Sequence, residues 1–245
     1  AEATLTGQRG EYVYDTTNSK LYVNMTADAS ISGADVAVAV NAAATAANTI
    51  AAGDVQFSVT GTDFADTIVT GAGADTITAG SGADTINGGL GADAITTGAG
   101  NDTLQYTIAE SAALAADADE VSDFEVGTNV IDFTNLTNST LRGTGADYEV
   151  VTAGANAVAA NTGIVEQTGD LSDMLVATVL TAANTMTGWS ANDAAYFVGT
   201  DGTDTGLYFL DDTSGNGTLD TATIVAIFTG VDEGDFAAAN FADFS

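Results

Sequence analysis

Residues 70–105 read TGAGADTITAGSGADTINGGLGADAITTGAGNDTLQ. An aspartate returns every nine residues, at Asp75, Asp84, Asp93 and Asp102, and an aliphatic residue follows two places later, at Ile77, Ile86, Ile95 and Leu104. A degenerate copy, GTDFADTIV, precedes them with Asp66 and Ile68 but carries Thr62 and Phe64 where glycines are expected. Between the aspartates lie Gly71, Gly73, Gly80, Gly82, Gly89, Gly91, Gly98 and Gly100. The first six positions of a copy turn and the last three form a short strand, so two copies complete one coil. Each strand buries a single apolar side chain, too little to hold one repeat folded, and stacking is obligatory. Five aspartates and five aliphatics in register argue against a flexible Gly/Asp linker.

In such a coil, alternate turns share an edge. Asp66, Asp84 and Asp102 stack on one side, Asp75 and Asp93 on the other, with coils about 4.8 Å apart, the spacing of paired strands. Two carboxylates about 5 Å apart, at an effective dielectric near 20, repel by about 3 kcal/mol. A hard dication between turns reverses that sign. Glycines let the backbone take positive φ and bring its carbonyls close, completing the all-oxygen shell that calcium prefers. The pattern G-G-x-G-x-D-x-U-x is the repeat of calcium-binding parallel β-helices. Three slots follow, Asp66–Asp84, Asp84–Asp102 and Asp75–Asp93, with several Ca2+ ions as the expected cofactor.

The bulk composition agrees. Of 245 residues, 34 are acidic and only Arg9, Lys20 and Arg142 are basic, a net charge of −31. Nucleic acid is excluded as a partner, because binding it rests on basic side chains neutralising phosphates, and so is an anionic membrane surface. Self-repulsion of this size opposes compaction, which makes a cation a folding cofactor as much as a ligand. With no Cys and no His, disulfides and the Ser-His-Asp or Cys-His nucleophile systems are excluded within this chain, and a zinc site lacks its usual sulfur and nitrogen ligands. The Ala-rich run GADVAVAVNAAATAANTIAAGD is broken by Asn41, Thr45, Asn48 and Thr49 and is not read as a transmembrane segment. No signal-peptide pattern opens the chain, and Ala1 in place of Met reads as processing or a fragment boundary.

Three blocks are expected: a β-strand module over 1–58, the calcium roll over 59–105, and a β-rich capping and secretion module over 106–245. Period-two alternation in EYVYD, KLYVN and DVAVAV marks half-buried strands. The first block aligns with YFVGTDGTDTGLYFLDDTSGNGTLDTATIVAIFTG of the third, which suggests a duplicated strand module; two unrelated meanders are the other reading. One short helix is expected over 172–184, capped by Asp170 or Ser172. The fold class is mainly β: a parallel β-roll of nonapeptide repeats flanked by antiparallel β modules, with that one helix.

These residues resemble the RTX (repeats-in-toxin) family. After the array, DADEVSDFEVGTNVIDFTNL is similar to the D-x-I-x-D-F-x-x-G-x-D-x-I-D segment that follows an RTX roll. Asp119, Val121, Asp123, Phe124, Gly127, Ile131 and Asp132 hold its main positions, with Val121 in place of Ile and Asn129 in place of an Asp. The resemblance implies that Asp123 either helps close the last turn as a ligand or belongs to a plain capping strand. The order of elements looks most like the C-terminal region of RTX-type bacterial surface-layer proteins. That likeness implies type I secretion by an uncleaved C-terminal signal, with which the acidic, Phe-punctuated DEGDFAAANFADFS is compatible.

A second candidate lies in DTSGNGTLD. Asp212, Ser214, Asn216, Gly217 and Asp220 fall at EF-hand positions, with the Thr218 carbonyl as a further ligand, but Thr223 stands where the bidentate Glu belongs. The loop reads either as a weaker calcium site or as an Asp/Gly turn. Trp189 reads as core or as a carbohydrate platform.

Two functions compete. One is an extracellular, calcium-dependent structural protein at the bacterial cell surface (surface layer, filament or adhesin), which folds and assembles with its own copies when calcium binds. The other is the non-catalytic calcium-binding export domain of a type I-secreted RTX enzyme, a protease, lipase or polysaccharide-acting enzyme. Glu2, Glu11, Glu110, Glu120, Glu125, Glu149, Glu166 and Glu233 are scattered and suggest no catalytic pair.

Overall fold

In the computed structural model, described over residues 12–15, 20–23, 36–39, 56–106, 118–133, 147–152, 157–159, 162–232 and 234–242, the repeats build two parallel stacks. The alternating N-terminal segments give β1 (Tyr12–Asp15) and β2 (Lys20–Val23), an antiparallel pair, and β3 (Val36–Ala39). β4 (Phe57–Thr60), β6 (Thr76–Thr78) and β8 (Ala94–Thr96) form one side of the roll; β5 (Thr67–Gly71), β7 (Thr85–Gly89) and β9 (Thr103–Gln105) form the other. All pair in parallel, with Thr67 opposite Thr85, Thr85 opposite Thr103, and Thr76 opposite Ala94. The register is two nonapeptides per coil, as the repeat predicts. Ile68, Ile77, Ile86, Ile95 and Leu104 point inward and are buried, each contributing about 1.5–3 kcal/mol of transfer free energy.

The roll outruns the array at both ends. β3 pairs in parallel with β4. Past the array, β10 (Asp119–Val121) pairs in parallel with β8, and β11 (Val130–Asp132) with β9. Next come β12 (Asp147–Thr152), β13 (Thr162–Thr168), α1 (Val176–Thr185), β14 (Ala194–Thr200), β15 (Asp204–Asp211), β16 (Thr221–Thr229) and β17 (Phe241–Ala242). One sheet runs β12-β13-β14-β15-β16-β10-β8-β6-β4-β3 and the other β17-β11-β9-β7-β5. The chain's last strands thus complete both sheets: β16 lies parallel to β10, and β17 parallel to β11.

An aromatic cluster closes this end. Phe124 packs edge-on to Phe228 at 5.0 Å, and Phe236 lies 5.4 Å from Phe228 and 5.5 Å from Phe241. Two phenylalanines of the terminal segment therefore build the cap of the roll. A second core joins α1, through Val179 and Ala183, to Phe197, Tyr208, Leu210 and Ile224. There Tyr208 donates its hydroxyl to the Met174 carbonyl at 2.8 Å.

Three expectations are refined. β14, β15 and β16 form the antiparallel meander, but β12, β13 and β14 join it in parallel, which period-two alternation cannot distinguish. The helix starts at Val176, with Leu175 as N-cap and no side-chain cap bond. Neither Asp170 nor Ser172 caps it, because Leu171 is buried and its N–H donates to the Thr200 carbonyl at 2.7 Å, holding that stretch extended. Of the expected duplicated module, β1–β2 and β14–β15 are both antiparallel pairs; 16–19, 24–35 and 40–55 fall outside the described residues.

Candidate calcium sites

Each repeat aspartate sits where its turn meets its strand, and strand stacking places it over the aspartate of the next coil. Asp66 donates its N–H to Asp84 Oδ1 at 2.8 Å, and Asp84 donates to Asp102 Oδ1 at 3.0 Å. On the other edge Phe57 donates to Asp75 Oδ1 at 2.6 Å and Asp75 to Asp93 Oδ1 at 2.7 Å. The two ladders are those the spacing predicts. Asp75, Asp84, Asp93 and Asp102 are each 1% exposed, so these carboxylates are dehydrated as well as stacked.

Dehydration leaves charge uncompensated. Among the described residues, Asp66 Oδ1, Asp84 Oδ2 and Asp102 Oδ2 are buried without a hydrogen-bond partner. Burial, reinforced by the Asp102 and Asp66 carboxylates and only partly offset by the Asp66 N–H, pushes Asp84 up to about 6. Burial also raises Asp75, against the Phe57 N–H and the Thr70 hydroxyl. Asp102 is raised by burial together with the Asp123 and Glu125 carboxylates. A stack of buried anions with bare oxygens is an arrangement a hard cation satisfies.

The turns supply the remaining oxygens. Among the described residues no three acidic groups converge on one point, so a cation here draws on backbone carbonyls. Gly71, Gly80, Gly82, Gly89, Gly91, Gly98 and Gly100 have φ between +88° and +150°. A Cβ on Gly98 would strike the Gly80 carbonyl of the coil below, and one on Gly91 would lie 2.6 Å from the Gly73 oxygen. Glycine is needed there for close approach as well as for φ. The Gly71 and Gly80 carbonyls also accept Leu90 N–H at 2.6 Å and Ala99 N–H at 2.9 Å, each retaining a second lone pair. The orphaned oxygens and the crowded carbonyls fit calcium, which the Asp66–Asp84, Asp84–Asp102 and Asp75–Asp93 pairs would hold. In the degenerate first repeat Thr62 ties the turn instead, donating its N–H and hydroxyl to Asp66 Oδ2 at 2.7 and 2.9 Å.

The other candidates are held differently. Asp123 accepts Thr97 N–H at 2.7 Å and its hydroxyl at 3.0 Å on one oxygen, and Gly98 N–H at 2.8 Å on the other. It closes the last turn by hydrogen bonding. Asp212 turns its carboxylate into its own loop and accepts N–H groups from Gly217 at 2.7 Å, Gly215 at 2.8 Å, Asn192 at 3.1 Å and Asn216 at 3.2 Å, with the Ser214 hydroxyl at 3.2 Å. Although burial pushes it up, those amides hold Asp212 down at about 2. Asp220 accepts Ser214 N–H at 2.8 Å, and the Asn216 side chain accepts Thr218 N–H at 2.7 Å. This geometry is that of an Asp/Gly turn. Trp189 donates to the Ala183 carbonyl at 2.9 Å and packs against the second core.

The structure also brings in two residues that the nine-residue spacing passes over. Asp93 donates its N–H to Asp119 Oδ1, and Asp102 to Asn129 Oδ1, both at 3.0 Å. An insertion stretches their offsets from 18 residues to 26 and 27. Only the D-x-V-x-D-F-x-x-G-x-N segment over 119–129 hints at them.

Residues 60–95 and 70–104 match the family model of the RTX calcium-binding nonapeptide repeat (4 copies), so this segment carries RTX calcium-binding repeats. No curated protein matches the sequence. Among solved structures the chain is similar to the AlgE6R3 subunit of the Azotobacter vinelandii mannuronan C5-epimerase, at 22% identity over 76% of this chain and 77% of that one, with a TM-score of 0.38. It is also similar to the AlgE6R2 subunit of the same enzyme, at 19% identity over 80% and 91%, with a TM-score of 0.39. Overlaps this loose carry no argument about activity. Among the described residues no helix is long and apolar enough to cross a membrane.

Proposed function

We propose that this chain is an extracellular, calcium-dependent structural module of a bacterial surface layer, filament or adhesin, which folds and assembles when Ca2+ fills the roll. The observation that carries the reading is the set of buried carboxylate oxygens at Asp66, Asp84 and Asp102 that have no partner among the described residues. Without cations the ladders repel and the coils stay apart. Extracellular calcium modules work at about 10⁻⁴ to 10⁻³ M, so a chain made in a low-calcium cytosol stays open and exportable, then closes outside. Binding energy becomes folding energy. Assembly has a candidate edge in β12, at the end of the ten-stranded sheet with Val150 exposed.

The test is a calcium titration of chelated protein, read by circular dichroism and light scattering on one sample. A coil-to-β transition at submillimolar to millimolar calcium, with scattering rising alongside, is the expected result. Folding without scattering turns the assignment towards a monomeric export domain. No response overturns the calcium reading itself.

A further inference from the structure

The two ladders do not end alike. The N–H bond from Asp93 to Asp119 Oδ1 at 3.0 Å repeats the bond joining Asp75 to Asp93. The backbone repeats too: the Asp93 carbonyl accepts Glu120 N–H at 2.7 Å, as the Asp75 carbonyl accepts Ala94 N–H at 2.8 Å. Asp119 is 3% exposed. A Cβ on Gly88 would strike Asp93 Oδ2, so glycine leaves a cradle beside that carboxylate.

On the opposite edge the next rung is Asn129. Its Oδ1 accepts Asp102 N–H, but its Nδ2 donates to the Thr97 hydroxyl at 3.2 Å, and its carbonyl accepts from Asn240 Nδ2 at 2.9 Å. This rung is neutral, and its amide presents hydrogens where a cation needs oxygens.

Resting on the calcium reading above, we propose that Asp93 and Asp119 form a further calcium slot across the insertion, and that the other ladder stops at Asn129. β10, which carries Asp119, is hydrogen-bonded to β8 on one side and β16 on the other. An ion in this slot therefore clamps the C-terminal sheet onto the roll. The slot completes only when the segment after the insertion docks, so it reports closure of the cap.

The experiment counts calcium per full-length chain after equilibrium dialysis, alongside Trp189 fluorescence during calcium titration. Asp119→Asn is expected to bind one ion fewer than the wild type and to raise the calcium midpoint of the Trp189 signal about tenfold. Asn129→Asp is expected to bind one ion more. Undiminished stoichiometry in Asp119→Asn overturns the slot, and no gain in Asn129→Asp overturns the stop. Should Asp119→Asn fail to fold, Asp93→Asn decides: Asp93 serves two slots under this proposal and loses two ions, whereas a loss of one overturns it. A wild type that binds no calcium sinks the roll reading instead, a distinguishable result.

Discussion

The repeat turns and the Asp212–Asp220 loop use the same residue types and do opposite things with them. In the roll each ladder carboxylate is buried against another anion; at Asp66, Asp84 and Asp102 one oxygen is left bare among the described residues. In the loop four amide hydrogens surround Asp212. The contrast reaches the proton: Asp84 is pushed up to about 6 and Asp212 held down at about 2. We infer that an aspartate filled by backbone donors serves its own turn, whereas one that keeps a bare oxygen is the better ligand for a cation. Asp123, filled by Thr97 and Gly98, falls with the loop.

The largest effect that separates the two regions is calcium removal. Chelation near neutral pH is expected to abolish the cooperative β signal of the roll in circular dichroism; retention of that signal would break the comparison. Next comes a matched pair. Asp84→Asn touches two slots and is expected to raise the calcium midpoint of folding about tenfold, about 1.4 kcal/mol. Asp212→Asn should lower the melting temperature with calcium stoichiometry unchanged, as isothermal titration would show. A lost ion in the Asp212 variant would return that loop to the calcium sites.

Acid sharpens the same contrast. Asp84 titrates at about 6 when folded against an ordinary 3.8, so across that window the metal-free folded chain binds more protons than the unfolded chain. Its stability is therefore fullest below the ordinary value and falls as pH rises towards 6. Asp212, lowered to about 2, has the reverse sign: its contribution is present above 3.8 and is lost as pH falls towards 2. Denaturant melts of calcium-free protein from pH 3 to 7 should show stability declining through Asp84's window. With calcium the trend inverts, since the ion favours the carboxylate.

Two smaller effects concern the turns. Gly98→Ala combines φ +88° with a Cβ driven into the Gly80 carbonyl, and backbone strain alone costs roughly 1–3 kcal/mol; a melt at saturating calcium measures it. Thr97→Val removes the hydroxyl that meets Asp123 and Asn129. It is expected to cost about 1 kcal/mol with no change in ion count.

Much of this was legible beforehand because the roll is local and periodic. Nine-residue spacing fixes which side chains turn inward and which aspartates share an edge, and the structure keeps that register through Leu104. The cap was not legible, because its contacts span long separations: Thr229 reaches the Val121 carbonyl across 108 residues, and Asn240 reaches Asn129 across 111. Periodicity carries no information about such pairings. The Phe-punctuated ending, compatible with an export signal, is also part of the fold: Phe236 is buried and β17 finishes a sheet.

By itself, the sequence determined the parallel roll, its inward aliphatic column and its two aspartate ladders, and it raised the expectation of a cation, since repeat spacing and net charge are local or additive quantities. Only the tertiary structure decided which carboxylates remain bare. An oxygen's partners come from wherever the chain returns: Asp212 and Asp123 are quenched by amides brought to them, while Asp66, Asp84 and Asp102 keep an oxygen that no donor among the described residues reaches.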